Sequence, residues 1–145
     1  VYSTPPLESE VEVTGPVKVT LFAATSAKDT DFTAKLVDVC EDGCARNLTD
    51  GIIRARYRES MSSPTLLEPG KVYEYTIDLW ATSNVFQKGH QIRVEISSSN
   101  FPRFDRNTNT GYTIAQDTES MPAMQTILHD PQHPSHVTLP IVPRE

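Results

Sequence analysis

Serine, histidine and aspartate together can form the catalytic triad of an acyl-transfer enzyme, and this sequence brings the three types close. The serines at 97–99 follow an alternating apolar segment, with His90 before them and Asp105 after them. A triad serine on a nucleophile elbow needs the pattern Gly-x-Ser-x-Gly, which is absent from these 145 residues. We therefore predict no catalytic residue, and we expect the His90 imidazole to bond loop backbone and to fix the turn at Lys88-Gly89.

Two further segments contain metal-ligand types. The run from Asp105, with Asn107 two residues later, partly matches a calcium loop, but Thr110 and Gln116 occupy the positions that require Gly and Glu. We predict Asx turns there instead. His129, His133 and His136 also lie close together, but the prolines between them predict an extended chain with diverging rings. We predict no metal and no cofactor.

Cys40 and Cys44 flank the short segment Glu41-Asp42-Gly43. Such a pair can close a disulfide across a turn or remain as two free thiols, and we favour free thiols. A structural zinc site needs about four ligands, and the chain has only these 2 cysteines. Cysteine usage does not settle the compartment, although the cytoplasm is slightly favoured.

The remaining candidates are aromatic or cationic. Trp80 follows an alternating strand and should project from the face opposite Tyr75, while Phe101, Phe104 and Tyr112 follow in a polar loop. These rings could stack a sugar, as in carbohydrate-binding sandwiches, or form an apolar patch that docks on another domain. Arg93 could pair with Glu95 on its own strand face or with a group of that other domain.

Alternation with a period of two positions these residues on strands. It is clearest at Val17–Ala24, Tyr73–Leu79 and Ile92–Ile96. The 11 prolines and the lack of a helical period exclude a helical fold, so we predict an all-β, two-sheet β-sandwich. The finer local predictions are a turn at Gly15-Pro16, a solvated strand face carrying Arg54, Arg56 and Arg58, a single helical turn near Ser83–Gln87 and a short strand near Tyr112–Ala115.

Composition limits the partners. With 13 Lys+Arg, 19 Asp+Glu and a net charge of −6, the chain lacks the clustered cations that a nucleic-acid partner requires. No apolar run approaches the ~18 residues of a membrane span. Because the first residue is Val1, we expect a fragment of a larger protein, with residues 1–10 as a lead-in arm and 1–145 as one domain.

Several motifs carry a family resemblance over nearly the whole chain. They are Asp29-Thr30-Asp31-Phe32, Gly89-His90-Gln91-Ile92-Arg93, Ser97-Ser98-Ser99-Asn100-Phe101-Pro102 and His133-Pro134-Ser135. The chain resembles the C-terminal β-sandwich domain of the X-prolyl dipeptidyl-peptidase and cocaine esterase family of serine hydrolases, which also includes α-amino-acid ester hydrolases and acylases.

The resemblance implies a jelly roll similar to galactose-binding domains. It also implies that the catalytic triad lies in an α/β-hydrolase domain, so that this chain packs on that domain and its cap and shapes substrate access. Homo-oligomerisation is a further role compatible with the resemblance. The candidate interface or substrate-rim residues are Trp80, His90, Arg93, Phe101, Phe104, Asp105, Asn107 and Tyr112. The alternative is a carbohydrate-binding module.

Overall fold

The computed structural model of the chain describes residues 1–143, which form β-strands and two 3-10 turns, without an α-helix in that range. The strands are β1 (Tyr2–Ser3), β2 (Val11–Thr25), β3 (Asp31–Val39), β4 (Ala45–Arg54), β5 (Tyr73–Phe86), β6 (Gln91–Ser97), β7 (Gln125–Leu128) and β8 (His136–Thr138). The 3-10 turns are Ala55–Tyr57 and Ile114–Gln116. Within the described range, no helix is long and apolar enough to span a membrane.

The strands form two antiparallel sheets. Sheet A has the order β1-β6-β3-β4, and sheet B has the order β5-β2-β7, with β8 also paired to β2. The long strands β2 and β5 pair along almost their entire length, from Val11↔Phe86 to Ala23↔Tyr73. The predicted two-sheet sandwich is therefore confirmed, while its finer assignment as a jelly roll stays a prediction.

The hydrophobic core fills the space between the sheets. Alternate residues of β2 and β5 point inward, so Leu21 and Ile77 are almost completely buried while their sequence neighbours are more exposed. Phe32 of β3 packs against Tyr75 of β5 with ring centroids 4.9 Å apart, which links sheet A to sheet B. The period-two pattern thus correctly predicted which face of β2 and of β5 is apolar.

The sheets approach most closely where edge strands β4 and β5 meet. Thr49 of β4 donates a hydrogen bond to the Leu79 carbonyl of β5. At Gly51 the backbones are so close that a Cβ atom would lie 2.0 Å from the Asp78 carbonyl oxygen. Glycine is required there because no side chain fits between the two strands.

Several local predictions were wrong because tertiary pairing prevailed over turn signals. Gly15-Pro16 lies inside β2, beside a register shift between Pro16 and Lys18, and does not end the strand. The segment 83–86, predicted as a helical turn, continues β5, and a 3-10 turn at Ile114–Gln116 replaces the strand predicted near 112–115.

The first ten residues are attached to sheet A. Tyr2–Ser3 pairs with β6, and the backbone amides of Thr4 and Leu7 donate to the carbonyls of Ile92 and His90 at 3.0 and 2.8 Å. The arm therefore extends the sheet at its β6 edge.

Candidate functional site

Residues 98–124, termed here the long loop, connect β6 to β7 and contain five of the predicted site residues. A connection of this length with little secondary structure of its own is commonly functional. Its position must be fixed by side-chain contacts, because its backbone lies outside both sheets. Those contacts come from Asp29, just before β3, and from Asp31 and Asp50 of sheet A, whose role as anchors was not predicted from sequence.

Asp29 and Asp31 are the central anchors, 0% and 1% exposed. Asp29 accepts hydrogen bonds from the Arg56 backbone amide at 2.9 Å and from Arg56 Nε at 2.8 Å. Asp31 accepts from Arg54 Nε at 2.9 Å and from Arg54 Nη2 at 3.0 Å, a bidentate pair. Two buried negative charges are thereby matched by two positive charges.

The prediction that Arg54, Arg56 and Arg58 lie on a solvated strand face was wrong. β4 ends at Arg54, and the 3-10 turn redirects the next residues, so the three side chains are only 21%, 12% and 6% exposed. Arg58 donates to the Thr65 carbonyl at 2.7 Å and stacks on the Tyr73 ring. Hydrogen bonding to Asp31 raises the pKa of the Arg54 guanidinium, which keeps it charged.

The same network holds the long loop. Asn107 Nδ2 donates to both Asp29 and Asp31 at 2.8 Å. Asp105 accepts from Arg54 Nη2 at 2.9 Å, and the Tyr112 carbonyl accepts from Arg56 Nη2 at 2.9 Å. Three predicted site residues, Asp105, Asn107 and Tyr112, thus bond to the same group of aspartates and arginines. We call Asp29, Asp31, Arg54, Arg56, Asp105 and Asn107 the charge network.

The Asx turn predicted in this loop is confirmed at Asn107, whose Oδ1 accepts from the Asn109 amide at 2.9 Å. Farther along, the Asp117 carboxylate accepts from the hydroxyls of Thr110 and Thr108. Because these bonds favour the ionised form, with Thr110 the larger cause, they lower the pKa of Asp117. Of the polar side chains that suggested a calcium loop, Asp105 and Asn107 bond to the charged groups below the loop, and Asn109 Nδ2 donates to the Met121 carbonyl of the loop itself.

A second anchor fixes the start of the loop. Asp50 of β4, 5% exposed, accepts from Asn100 Nδ2 at 2.9 Å and lies 3.2 Å from Arg103 Nη2. The Phe104 amide donates to the Asn100 carbonyl at 3.2 Å, which closes a short turn. This turn presents Phe101, which is 65% exposed, on the surface.

The loop also exposes apolar side chains beside a groove. Tyr112 and Met121 are 73% and 53% exposed, and with Leu66 they line an open groove of about 400 Å³. Gly111 lies against Leu66 at the same place. We call Phe101, Tyr112, Met121 and Leu66 the loop face.

Three predicted site residues lie elsewhere. Trp80 is on β5, 71% exposed, with a positive φ of 63°, and its amide donates to Asp78. His90 Nδ1 lies 2.8 Å from an Asp38 oxygen of β3, so the loop-backbone partner predicted for the imidazole was wrong, although the contact does fix the turn. Arg93 Nε donates to Ser3 at 3.0 Å, and Arg93 Nη1 approaches Glu95 at 3.9 Å.

The three histidines have separate partners. His133 Nδ1 lies 3.1 Å from Asp130, and hydrogen bonding to His133 lowers the pKa of the Asp130 carboxyl. His136 Nδ1 contacts the Pro134 carbonyl oxygen at 2.7 Å, and His129 meets the Tyr2 ring edge-on. Cys40 and Cys44 are free thiols, as predicted.

Sequence analysis missed the aspartates that organise the surface, namely Asp29, Asp31, Asp38 and Asp50. Asp29 and Asp31 flank Thr30 in a motif that was used only for the family resemblance, with no role assigned to either carboxylate. Their burial depends on arginines at least 23 residues later, a separation that no local pattern reveals.

Comparisons with known proteins agree with this geometry. Residues 1–138 match the family described as the X-Pro dipeptidyl-peptidase C-terminal non-catalytic domain. The chain is 57% identical over 145 residues to cocaine esterase of Rhodococcus sp. (strain MB1 Bresler), covering 99% of this chain and 25% of that protein.

Solved structures show the same fold. The crystal structure of an aminopeptidase from a marine sediment Thaumarchaeota archaeon superposes with a TM-score of 0.94 at 33% identity, covering 98% of this chain and 25% of the other. An α-amino acid ester hydrolase superposes with a TM-score of 0.92 at 32% identity, covering 97% and 25%. The chain thus spans about a quarter of each of these relatives, and it belongs to the X-Pro dipeptidyl-peptidase C-terminal, non-catalytic domain family.

Proposed function

We propose that residues 1–145 form the C-terminal, non-catalytic domain of a longer serine hydrolase of the dipeptidyl-peptidase, esterase or acylase type. In this proposal the loop face docks on the α/β-hydrolase and cap domains and forms part of the wall that controls substrate access. The catalytic triad lies in the hydrolase domain, and no residue of this chain takes part in the chemical step.

One observation carries the docking proposal: exposed apolar side chains sit on a loop that a buried charge network holds in place. A docking surface binds more tightly when it is already ordered before contact, because less conformational entropy is lost on binding. The loop is held at two points, one before Phe104 and one after it. Asn100 bonds to Asp50, and Asn107 bonds to Asp29. Tyr112 and Met121 are the large side chains that such a surface would bury.

The relatives support the hydrolase part of the proposal. Proteins named cocaine esterase, aminopeptidase and α-amino acid ester hydrolase share this domain, which makes up about a quarter of the length of each. All three names describe hydrolysis at an acyl carbonyl. Since one fold serves several substrates, the relatives support a reaction class and leave the substrate of this protein to experiment.

The first experiment measures the mass of the natural protein and its hydrolysis of aromatic esters and X-Pro amides. We expect a mass several times the 16.2 kDa of this chain and activity toward one substrate class. A natural protein near 16.2 kDa, or one inactive on esters and amides, would contradict the hydrolase proposal.

A second experiment tests the loop face in the longer protein. Tyr112→Ser and Met121→Ser should each weaken domain docking by more than about 1 kcal/mol, seen as faster protease cleavage between the domains. Met61→Ser is the matched control, because Met61 is 78% exposed but does not line the groove beside Tyr112 and Met121. Equal protease sensitivity of all three variants would refute docking through the loop face.

Trp80 favours one alternative function. Its 71% exposure on an edge strand offers an aromatic platform that a sugar ring could stack on. Affinity electrophoresis in polysaccharide gels separates the two functions. Retention that Trp80→Ala abolishes would support a carbohydrate-binding module, whereas unretarded migration would leave docking as the explanation for the exposed rings.

A further inference from the structure

The hairpin between β3 and β4 brings its two thiols together. The β3–β4 ladder ends with Val39 opposite Ala45, and the next residues, Cys40 and Cys44, continue it, since the Cys40 amide donates to the Cys44 carbonyl at 2.8 Å. Residues directly opposite each other on antiparallel strands project their side chains to the same face. The two sulfur atoms are therefore neighbours at the tip of the hairpin.

The turn adds a carboxylate to the pair. Asp42 Oδ1 accepts a hydrogen bond from the Cys44 amide at 3.0 Å, which orients the carboxylate. Gly43, at φ +86°, allows the tight turn and donates to the Cys40 carbonyl at 3.0 Å. One ligand atom each from Cys40, Asp42 and Cys44 lies within 4.8 Å of the others, and no other described group of three or more His, Cys, Asp or Glu residues has this property.

We propose that Cys40, Asp42 and Cys44 bind a thiophilic divalent cation of the Zn²⁺ class through two thiolates and one carboxylate oxygen. Tetrahedral Zn²⁺ with Zn–S bonds of ~2.3 Å places its two sulfurs ~3.8 Å apart, so the hairpin needs little rearrangement. Water occupies the fourth position, as in zinc sites with three protein ligands. Binding releases the two thiol protons to solvent, and no electron is transferred.

Neighbouring residues suit this role. The two thiolates and the carboxylate outweigh the cation by one negative charge, and Arg46, two residues after Cys44, adds a positive charge to the same strand end. Glu41 is turned toward the 88–90 turn, where its carboxylate occupies the space beside Gly89. This contact braces the hairpin, and rigid support of this kind raises metal affinity.

The site is independent of the loop face. It lies at the Ala45 end of β4, whereas the charge network lies at the Arg54 end, ~30 Å away along the strand at ~3.3 Å per residue. A metal at the hairpin tip would therefore leave the docking surface unchanged, and failure of one proposal would leave the other standing.

The test is a Co²⁺ titration of the natural protein that carries this chain, kept reduced with a phosphine. Absorption from thiolate-to-cobalt charge transfer should appear with one equivalent and disappear when Zn²⁺ displaces the cobalt. Loss of a residue that only hydrogen-bonds to a metal ligand lowers metal affinity by about 10–100-fold. Because Cys44 is itself a ligand in this proposal, Cys44→Ser should lower the affinity for Co²⁺ by at least about 100-fold. Asp42→Asn should weaken binding while preserving the thiolate absorption.

Asp130→Asn is the matched control, because Asp130 is an exposed carboxylate paired with His133 outside the Cys40, Asp42 and Cys44 group. It should leave the titration unchanged. The proposal would be overturned by charge-transfer absorption that persists in Cys44→Ser, by binding that depends on Asp130, or by a reduced protein that binds neither metal.

Discussion

Replacing Asp29 by Asn tests whether the charge network determines stability. The substitution keeps the shape of the side chain but removes the negative charge. Asp29 accepts three hydrogen bonds, two from Arg56 and one from Asn107. An amide can accept at only one of its two terminal atoms, so its Nδ2 would face at least one donor in either orientation and Arg56 would lose its counter-ion.

The expected cost follows from burial. Removing one partner of a buried ion pair destabilises a protein by about 3–5 kcal/mol, because the remaining charge is left uncompensated. Arg56 retains 12% exposure and can recover some hydration, which favours the lower limit of about 3 kcal/mol. With an unfolding entropy of ~2.1 cal/mol/K per residue, a domain of this size should lose roughly 10 °C in Tm.

The assay is thermal and denaturant unfolding of the purified protein, with two comparison variants. Asn107→Ala removes the Nδ2 bonds to Asp29 and Asp31 and the Asx turn to Asn109 but leaves the buried ion pairs, so about 1–2 kcal/mol and faster amide exchange in residues 105–112 are expected. Glu68→Gln breaks the surface pair with Lys71, whose members are 72% and 53% exposed, and should change stability by less than about 0.5 kcal/mol. Equal unfolding midpoints for Asp29→Asn and Glu68→Gln would refute the reasoning.

Three more outcomes are expected. Gly51→Ala should destabilise the protein by at least about 3 kcal/mol in denaturant unfolding, because the new Cβ would lie 2.0 Å from the Asp78 carbonyl oxygen; a loss below 1 kcal/mol would mean that β4 and β5 are farther apart. His90→Ala should cost about 1–3 kcal/mol by leaving the buried Asp38 without its partner, whereas His129→Ala, at an exposed ring, should cost much less in the same assay. The Thr110 hydroxyl is the main cause that lowers the pKa of Asp117 from 3.8, so the stability that Asp117 gives the loop should be complete above pH 3.8 and should be lost as the pH falls through the lowered pKa. Pepsin cleavage near residues 108–119 should therefore accelerate as the pH falls through that range. The Asp117→Asn variant should be cleaved fast throughout the range.

The fold was predictable from sequence because its long strands follow a strict period of two. Tyr75, Ile77 and Leu79 are all almost fully buried, and Glu74, Thr76 and Asp78 are exposed, as the alternation required. The prediction of a turn at Gly15-Pro16 was wrong because β5 supplies hydrogen-bond partners on both sides of the irregularity. A local turn signal does not end a strand when a long neighbouring strand supplies hydrogen-bond partners for the backbone amides and carbonyls.

The surface was less predictable than the fold. Four aromatics were singled out as a docking or stacking surface; Trp80, Phe101 and Tyr112 are exposed, and Phe104 is half-buried. What holds them was not foreseen, because an aspartate in sequence is normally a surface residue and burial depends on a distant arginine. The resemblance to the hydrolase family indicated the class of protein without revealing how Asp29 and Asp31 support the long loop.

The close approach of β4 and β5 has a consequence for association between molecules. A sheet edge with unpaired amides and carbonyls can recruit a strand from another chain, and long straight edges do so most readily. Here the two longest edge strands face each other across the sandwich. The opposite edges consist of the two-residue β1 and of the interrupted series β7, β8 and the single bridge at Ile141. Short and broken edges are poor templates for a strand of another chain, so these two edges of the fold disfavour edge-to-edge association.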